Sequence, residues 1–256
     1  MNRLKLLFFF LFPFLVFSQN NKQIAFRELT VEQGLSQNSV VSIAQDSTGF
    51  MWFATQDGLN KYDGRDFTHF DIQFEDVTRP TFSKLGRIYV AKNSELWIVS
   101  NSGKLEKYNP QNDVFRAILG VSNVSALIQD ENFNYFIGTY NNGIYKIDAK
   151  TSDTIQFLKS NYSKRTIYDF IEISDKTIIA TTNSGFFEIN QDNYMFREIM
   201  TETNFSAISQ SKNNILYLGS YGKGLFIKYL DELEFKQFKG FETANLPVDL
   251  IIQDLL

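Results

Sequence analysis

Five copies of one segment, returning every 39 to 45 residues, constrain this 256-residue chain more than any other feature. The copies read SVVSIAQDSTGFMWFATQDGLNKYD from Ser39, GRIYVAKNSELWIVSNSGKLEKYN from Gly86, VSALIQDENFNYFIGTYNNGIYKID from Val124, IYDFIEISDKTIIATTNSGFFEIN from Ile167 and FSAISQSKNNILYLGSYGKGLFIKY from Phe205. Their anchor glycines are Gly58, Gly103, Gly143, Gly185 and Gly224, and a sixth copy opens at Val248. Apolar residues alternate with a period of two inside each copy, which specifies strands and leaves no helical run of a dozen residues. The glycine precedes the third strand, where a tight hairpin turn needs positive φ. Trp52, Trp97, Phe136, Ile179 and Tyr217 hold one equivalent position in the second strand, suited to packing one sheet on the next. Four antiparallel strands repeated at this period describe a β-propeller blade. The expected fold is all-β: a propeller of four-stranded antiparallel blades, five complete repeats and the start of a sixth, with the ring incomplete. The repeats lie near residues 39–70, 85–115, 124–157, 167–196, 205–238 and 248–256.

Residues 1–18 read as a signal peptide. Arg3 and Lys5 precede an apolar run over residues 6–17, and Val16 and Ser18 supply the small-residue pattern for cleavage between Ser18 and Gln19. Twelve residues rise only about 18 Å as a helix, short of a hydrocarbon core of about 30 Å. The expectation is therefore an exported, periplasmic chain whose partial propeller occupies residues 19–256.

Composition narrows the chemistry. No cysteine is present, which removes disulfides, thiolate metal sites and cysteine nucleophiles, and a single histidine, His69, removes multi-histidine metal sites. A formal charge of −4 with interspersed signs offers no basic stripe for nucleic acid. His69 reads as a solvent-facing strand residue. The stretch from Asp130 to Asn134 begins like a calcium loop, but Tyr135 and Asn141 replace the required Gly and Glu, so it reads as a hairpin turn. Gly222-Lys223-Gly224 lacks the rest of a phosphate loop, and Asp231/Glu232 fit a solvated turn. No catalytic, cofactor or metal residue is assigned, no cofactor is expected, and the chain is read as a non-enzyme. Tyr140, Tyr194 and Tyr221, near turns, are the only binding hint, since aromatic faces stack on sugar rings. Ordinary blade packing is the favoured account of them, so the ligand-binding residues stay unassigned.

Residues 34–70 carry GLS, Asn38-Ser39-Val40, Gln45-Asp46, Gly49, Trp52, Asp57-Gly58-Leu59-Asn60 and Tyr62-Asp63-Gly64. This stretch resembles the opening repeat of two-component regulator propellers, the periplasmic sensor regions of hybrid histidine kinases abundant in Bacteroidetes. The resemblance implies an extracytoplasmic ligand-sensing module of a two-component system, responding to glycan-derived ligands. Its implied partners are a small-molecule or oligosaccharide ligand, the remaining blades and a downstream kinase, with room for a homodimer of the full-length protein. It also implies that residues 26–29 form an outer closing strand, and that the chain is an N-terminal fragment with exposed sheet edges at the break. The other readings are a secreted polysaccharide lyase or hydrolase and a non-signalling adhesive or structural propeller.

Overall fold

The computed structural model describes residues 26–72 and 87–239, apart from 101, 159–161, 163, 174–175, 230–231 and 233. The signal segment, its cleavage site and the sixth repeat lie outside the described residues. Sheet 1 holds β1 (Val40–Gln45), β2 (Met51–Thr55), β3 (Gly58–Tyr62) and β4 (Phe67–Phe70). Sheet 2 holds β5 (Ile88–Val90), β6 (Leu96–Val99), β7 (Leu105–Asn109) and β8 (Val114–Ala117). Sheet 3 holds β9 (Val124–Gln129), β10 (Tyr135–Thr139), β11 (Ile144–Ile147) and β12 (Thr154–Gln156). Sheet 4 holds β13 (Ile167–Ile173), β14 (Thr177–Thr182), β15 (Phe186–Asn190) and β16 (Phe196–Ile199). Sheet 5 holds β17 (Phe205–Gln210), β18 (Leu216–Ser220), β19 (Leu225–Lys228) and β20 (Lys236–Gln237). Every pairing is antiparallel between sequence neighbours, so each repeat is one blade. Among the described residues the ring is not closed.

The core lies between blades rather than within them. Trp52 packs on Ile88, Leu96, Ile98 and Tyr108 of sheet 2. Trp97 meets Leu127, Tyr135 and Ile137 of sheet 3, Phe136 meets Ile178, Ala180 and Phe187 of sheet 4, and Ile179 meets Ile208, Leu216 and Leu218 of sheet 5. A four-stranded sheet has two faces to cover, and stacking neighbours is how a repeat covers them. Tyr217, the fifth equivalent, is only half-buried, because among the described residues no sheet follows sheet 5. Ile43 on the opposite outer face is 57% exposed, while its equivalents Ile88, Leu127, Phe170 and Ile208 are buried.

Four of the five β2–β3-type turns are pinned the same way, the exception being that of sheet 2, where the Ser100 hydroxyl meets Ser102 Oγ instead. The hydroxyls of Thr55, Thr139, Thr182 and Ser220 donate to the carbonyls of Gly58, Gly143, Gly185 and Gly224 at 2.9, 2.7, 3.0 and 2.6 Å. Gly58, Gly103, Gly143, Gly185 and Gly224 all have positive φ, as the turn requires. Residues 26–29 form no strand, contrary to the expected closing strand, and Phe26 is almost fully exposed. A strand needs a ladder partner, and none among the described residues reaches this segment. Instead the chain makes a 3₁₀ turn at Val31–Gln33, capped by Thr30, and then crosses sheet 1. There Ser36 N–H donates to Asn60 Oδ1 (2.9 Å), Asn60 Nδ2 donates to Ser36 Oγ (2.8 Å) and Ser36 Oγ meets Thr55 Oγ1 (2.7 Å).

The Gln45-Asp46 motif also has a local cause. Asp46 Oδ1 accepts from Thr48 N–H, Thr48 Oγ1–H and Phe50 N–H, and Oδ2 accepts from Trp52 Nε1–H at 2.8 Å. Partial burial opposes the charged form, but these donors prevail and hold the carboxyl below its usual range. A depressed carboxylate contributes stability above its ordinary range and loses it as pH falls. In sheet 2 Ala91 occupies the same turn position, with its N–H on Glu95 O as that of Asp46 is on Phe50 O. Trp97 Nε1 is accordingly buried without a hydrogen bond of good geometry. Ala91→Asp is expected to satisfy it and raise stability by about 1 kcal/mol in urea denaturation; an unchanged midpoint would show that the carboxylate cannot reach the indole.

Candidate ligand-binding faces

The blades present two ends. One carries the glycine turns and the connectors between blades, the other the β1–β2 and β3–β4 turns of each sheet. At the glycine end, the connectors between sheets 2 and 3, 3 and 4, and 4 and 5 are stitched to neighbouring turns: Tyr140 N–H donates to Asn123 O (2.7 Å), Asn183 N–H to Thr166 O (3.2 Å) and Tyr221 N–H to Asn204 O (2.9 Å). Val124 N–H reaches back to Gly103 O and Gly143 N–H reaches forward to Arg165 O, both at 3.0 Å. Backbone tied in this way holds the side chains of Tyr140 and Tyr221 at fixed positions beside it.

Tyr140 and Tyr221 occupy one repeat position, directly after the turn-pinning Thr139 and Ser220, and are 39% and 45% exposed. Between them, in sheet 4, Tyr168 sits at the bulge of β13 where the register slips between Ile167 and Asp169. The phenol of Tyr168 is pushed above its usual range, first by burial and further by the nearby Tyr140 and Tyr221 hydroxyls, against a hydrogen bond from Asn204. Tyr140, Tyr168 and Tyr221 therefore stand at the glycine end of three consecutive blades, with Asn204 in the connector between the last two. Together they combine flat apolar faces with several hydroxyl and amide groups, the equipment for holding a polyhydroxylated ring.

Tyr194, grouped with Tyr140 and Tyr221 by sequence, belongs elsewhere. It is half-buried at the opposite end, its ring 3.6 Å from Lys146 Nζ, and its hydroxyl accepts from Asn134 Nδ2 (2.8 Å) and donates to Asp130 Oδ2 (3.2 Å). A tyrosine that satisfies a buried turn and a lysine of the preceding blade is packing material, not an open platform. The same contacts show Asp130 to Asn134 as a hairpin turn, with Asn134 N–H on Asp130 Oδ1 at 2.7 Å. His69 is exposed on β4, with Nε2 2.7 Å from Gly34 O.

Two features were not singled out from the sequence. Tyr168 lies in an apolar strand, and only the bulge, shared with Val41, Ser125 and Ser206, sets it apart from its neighbours. Sheets 2 and 4 are also joined by ion pairs from their first strands and turns, Arg87 with Asp169 at 3.7 Å and Lys92 with Glu172. At the turn end, a cleft of about 540 Å³ opens between sheets 1 and 2, with Asp46, Phe50, Lys61, Leu96, Lys107 and Tyr108 in its wall. Lys61 Nζ there donates to the Tyr108 hydroxyl (2.9 Å) and lies 4.5 Å from the Phe50 ring centre. No helix among the described residues is long and apolar enough to cross a membrane.

Comparison with known proteins agrees with this architecture. Residues 34–57 match the family model described as two component regulator propeller. The match spans Ser36, Asp46, Trp52 and Thr55, whose hydrogen bonds build blade 1. Histidine kinase P4 of Formosa agariphila is 44% identical over 70 residues, 27% of this chain and 5% of that protein. Among solved structures, the extracellular domain assigned to a one component system of B. thetaiotaomicron superposes with a TM-score of 0.61 at 18% identity, over 85% of this chain and 33% of that one. Virginiamycin B lyase from Staphylococcus aureus, solved with quinupristin, gives 0.62 at 13% identity over 83% of this chain and 73% of that one. These two likenesses establish the propeller fold. The chain spans a third or less of the kinase and of the B. thetaiotaomicron domain. Residues 34–57 thus carry the two component regulator propeller repeat as blade 1 of a propeller whose four further described blades are built on the same plan.

Proposed function

We propose that this chain is the ligand-receiving propeller segment of an extracytoplasmic sensor, exported with cleavage after Ser18. Its ligand is a glycan-derived saccharide, and its output runs through a histidine kinase elsewhere in the full-length protein. The observation that carries the reading is the cluster of Tyr140, Tyr168 and Tyr221 at the glycine end, where rigidly stitched turns expose aromatic faces beside hydroxyls. The regulator repeat and the likeness to a histidine kinase support the signalling half. Sensing requires that the ligand favour one of two states of the whole receptor, so the remaining blades and a homodimeric partner are proposed as the elements whose arrangement changes.

Calorimetric titration of the chain with oligosaccharides released from extracellular polysaccharides tests the binding half. Tyr140→Ala and Tyr221→Ala are each expected to weaken binding by up to about tenfold, the worth of one stacked aromatic face. Unchanged affinity in both variants would remove the cluster from the site, and turnover of a polysaccharide by the chain would replace sensing with catalysis.

A further inference from the structure

We propose that the cleft between sheets 1 and 2, at the end opposite the tyrosine cluster, is a separate binding site for a neutral, hydroxyl-bearing six-membered ring. The protein itself supplies the template. Between sheets 3 and 4 the equivalent place is filled from within by Tyr194, whose ring covers Lys146 while its hydroxyl reaches Asn134 and Asp130. Register fixes the equivalences: Lys61 pairs with Trp52 as Lys146 pairs with Phe136, and Asp46 and Asp130 open the same turn. The residue matching Tyr194 is Asp113. Both sit at positive φ (52° and 57°), four residues after an asparagine, Asn109 or Asn190, whose Oδ1 accepts the N–H of Gln111 or Asp192.

Asp113 is too short to fill the space. It takes Lys61 Nζ at 3.2 Å and the Tyr108 hydroxyl, and the 540 Å³ cleft remains beside them. That volume lies within the range of small-molecule sites. Its charges are already matched: Lys61 with Asp113, Lys107 with Glu95, and Asp46 with the Thr48, Phe50 and Trp52 donors. A charged ligand would have to break one of these pairs and leave its partner uncompensated, whereas a neutral ring adds contacts to Phe50, Leu96 and Tyr108 and hydrogen bonds to groups with spare capacity. A tyrosyl side chain and a pyranose share this chemistry.

The test follows the Trp52 indole N–H signal of the full chain by ¹⁵N–¹H NMR, because that group bonds Asp46 in the cleft wall. The probes are p-cresol, for a tyrosyl source, and methyl β-glucopyranoside, for a saccharide source, with glucuronate as the charged control. Saturable shifts with one neutral probe and none with glucuronate are expected, and the responding probe identifies the source. Asp113→Tyr, which copies blade 4, should weaken the response at least tenfold. Ser47→Phe, on an exposed turn residue lining the rim, should do the same without touching the Lys61 contacts. Tyr140→Ala should leave the response intact, which separates this site from the tyrosine cluster. No saturation with either neutral probe, or an undiminished response in both Asp113→Tyr and Ser47→Phe, overturns the proposal.

Discussion

Trp52→Ala is expected to remove about 4 kcal/mol of stability, within the range for deleting a large buried aromatic. Trp52 is wholly buried and lies against Phe70 of its own sheet and, edge-on, against Tyr108 and Phe115 of sheet 2, with ring centres 5.5, 4.9 and 6.0 Å away. Its Nε1–H also completes the Asp46 turn, so truncation leaves both a cavity at the blade 1–2 junction and a carboxylate oxygen short of a donor. Trp52→Phe keeps one ring but loses part of the buried volume together with the hydrogen bond, so it should cost about 2 kcal/mol. Urea denaturation of both variants measures the two losses. A loss below about 1 kcal/mol for Trp52→Ala would mean that this junction is not built around the indole.

Gly185→Ala is expected to cost about 3 kcal/mol, and the comparison with Gly49→Ala isolates why. Both glycines have positive φ, 80° and 94°, a conformation that costs an L-residue about 1–2 kcal/mol. A Cβ on Gly49 would meet nothing within 4 Å, whereas one on Gly185 would lie 2.3 Å from the carbonyl oxygen of Ile199. That carbonyl belongs to the outer strand of the same blade, and Gly185 N–H is held at 2.5 Å by Thr203 O in the connector to sheet 5. The turn therefore cannot relax without releasing the connector that carries Asn204. Thermal denaturation should show a much larger drop in Tm for Gly185→Ala than for Gly49→Ala; equal drops would place the whole cost in the backbone conformation.

Much of the fold is legible because each blade repeats one physical solution. The turn glycines, the Trp52-type position and the period of two are local signals, and all three recur in each of the five blades. The Thr or Ser that pins four of the five glycine turns was equally visible as a repeated position, yet its partner is a backbone carbonyl that no residue type announces. The site was harder to read because its members belong to different blades. Tyr140 and Tyr221 share a repeat position, but Tyr168 joins them through a bulge, and a bulge is set by the ladder rather than by the residue it displaces. Tyr194 shows the converse. Its place after an Asn-rich turn suggested exposure, whereas its depth is decided by Lys146 and Asp130 of the preceding blade, sixty-four residues upstream in the case of Asp130. Residues 26–29 illustrate the same limit, since a strand there depends on a sheet partner that lies in no neighbouring part of the sequence.

The central claim is that the Tyr140, Tyr168 and Tyr221 cluster receives the saccharide that the sensor reads. Tyr168→Phe tests it most directly, because this change keeps the ring and removes only the hydroxyl, leaving the blade packing in place. Titrated calorimetrically beside the parent chain and Tyr140→Ala with the same oligosaccharide, Tyr168→Phe should bind several-fold more weakly and Tyr140→Ala up to about tenfold more weakly. Identical isotherms for the three proteins would contradict the account, because saccharide binding would then lie outside the tyrosine cluster.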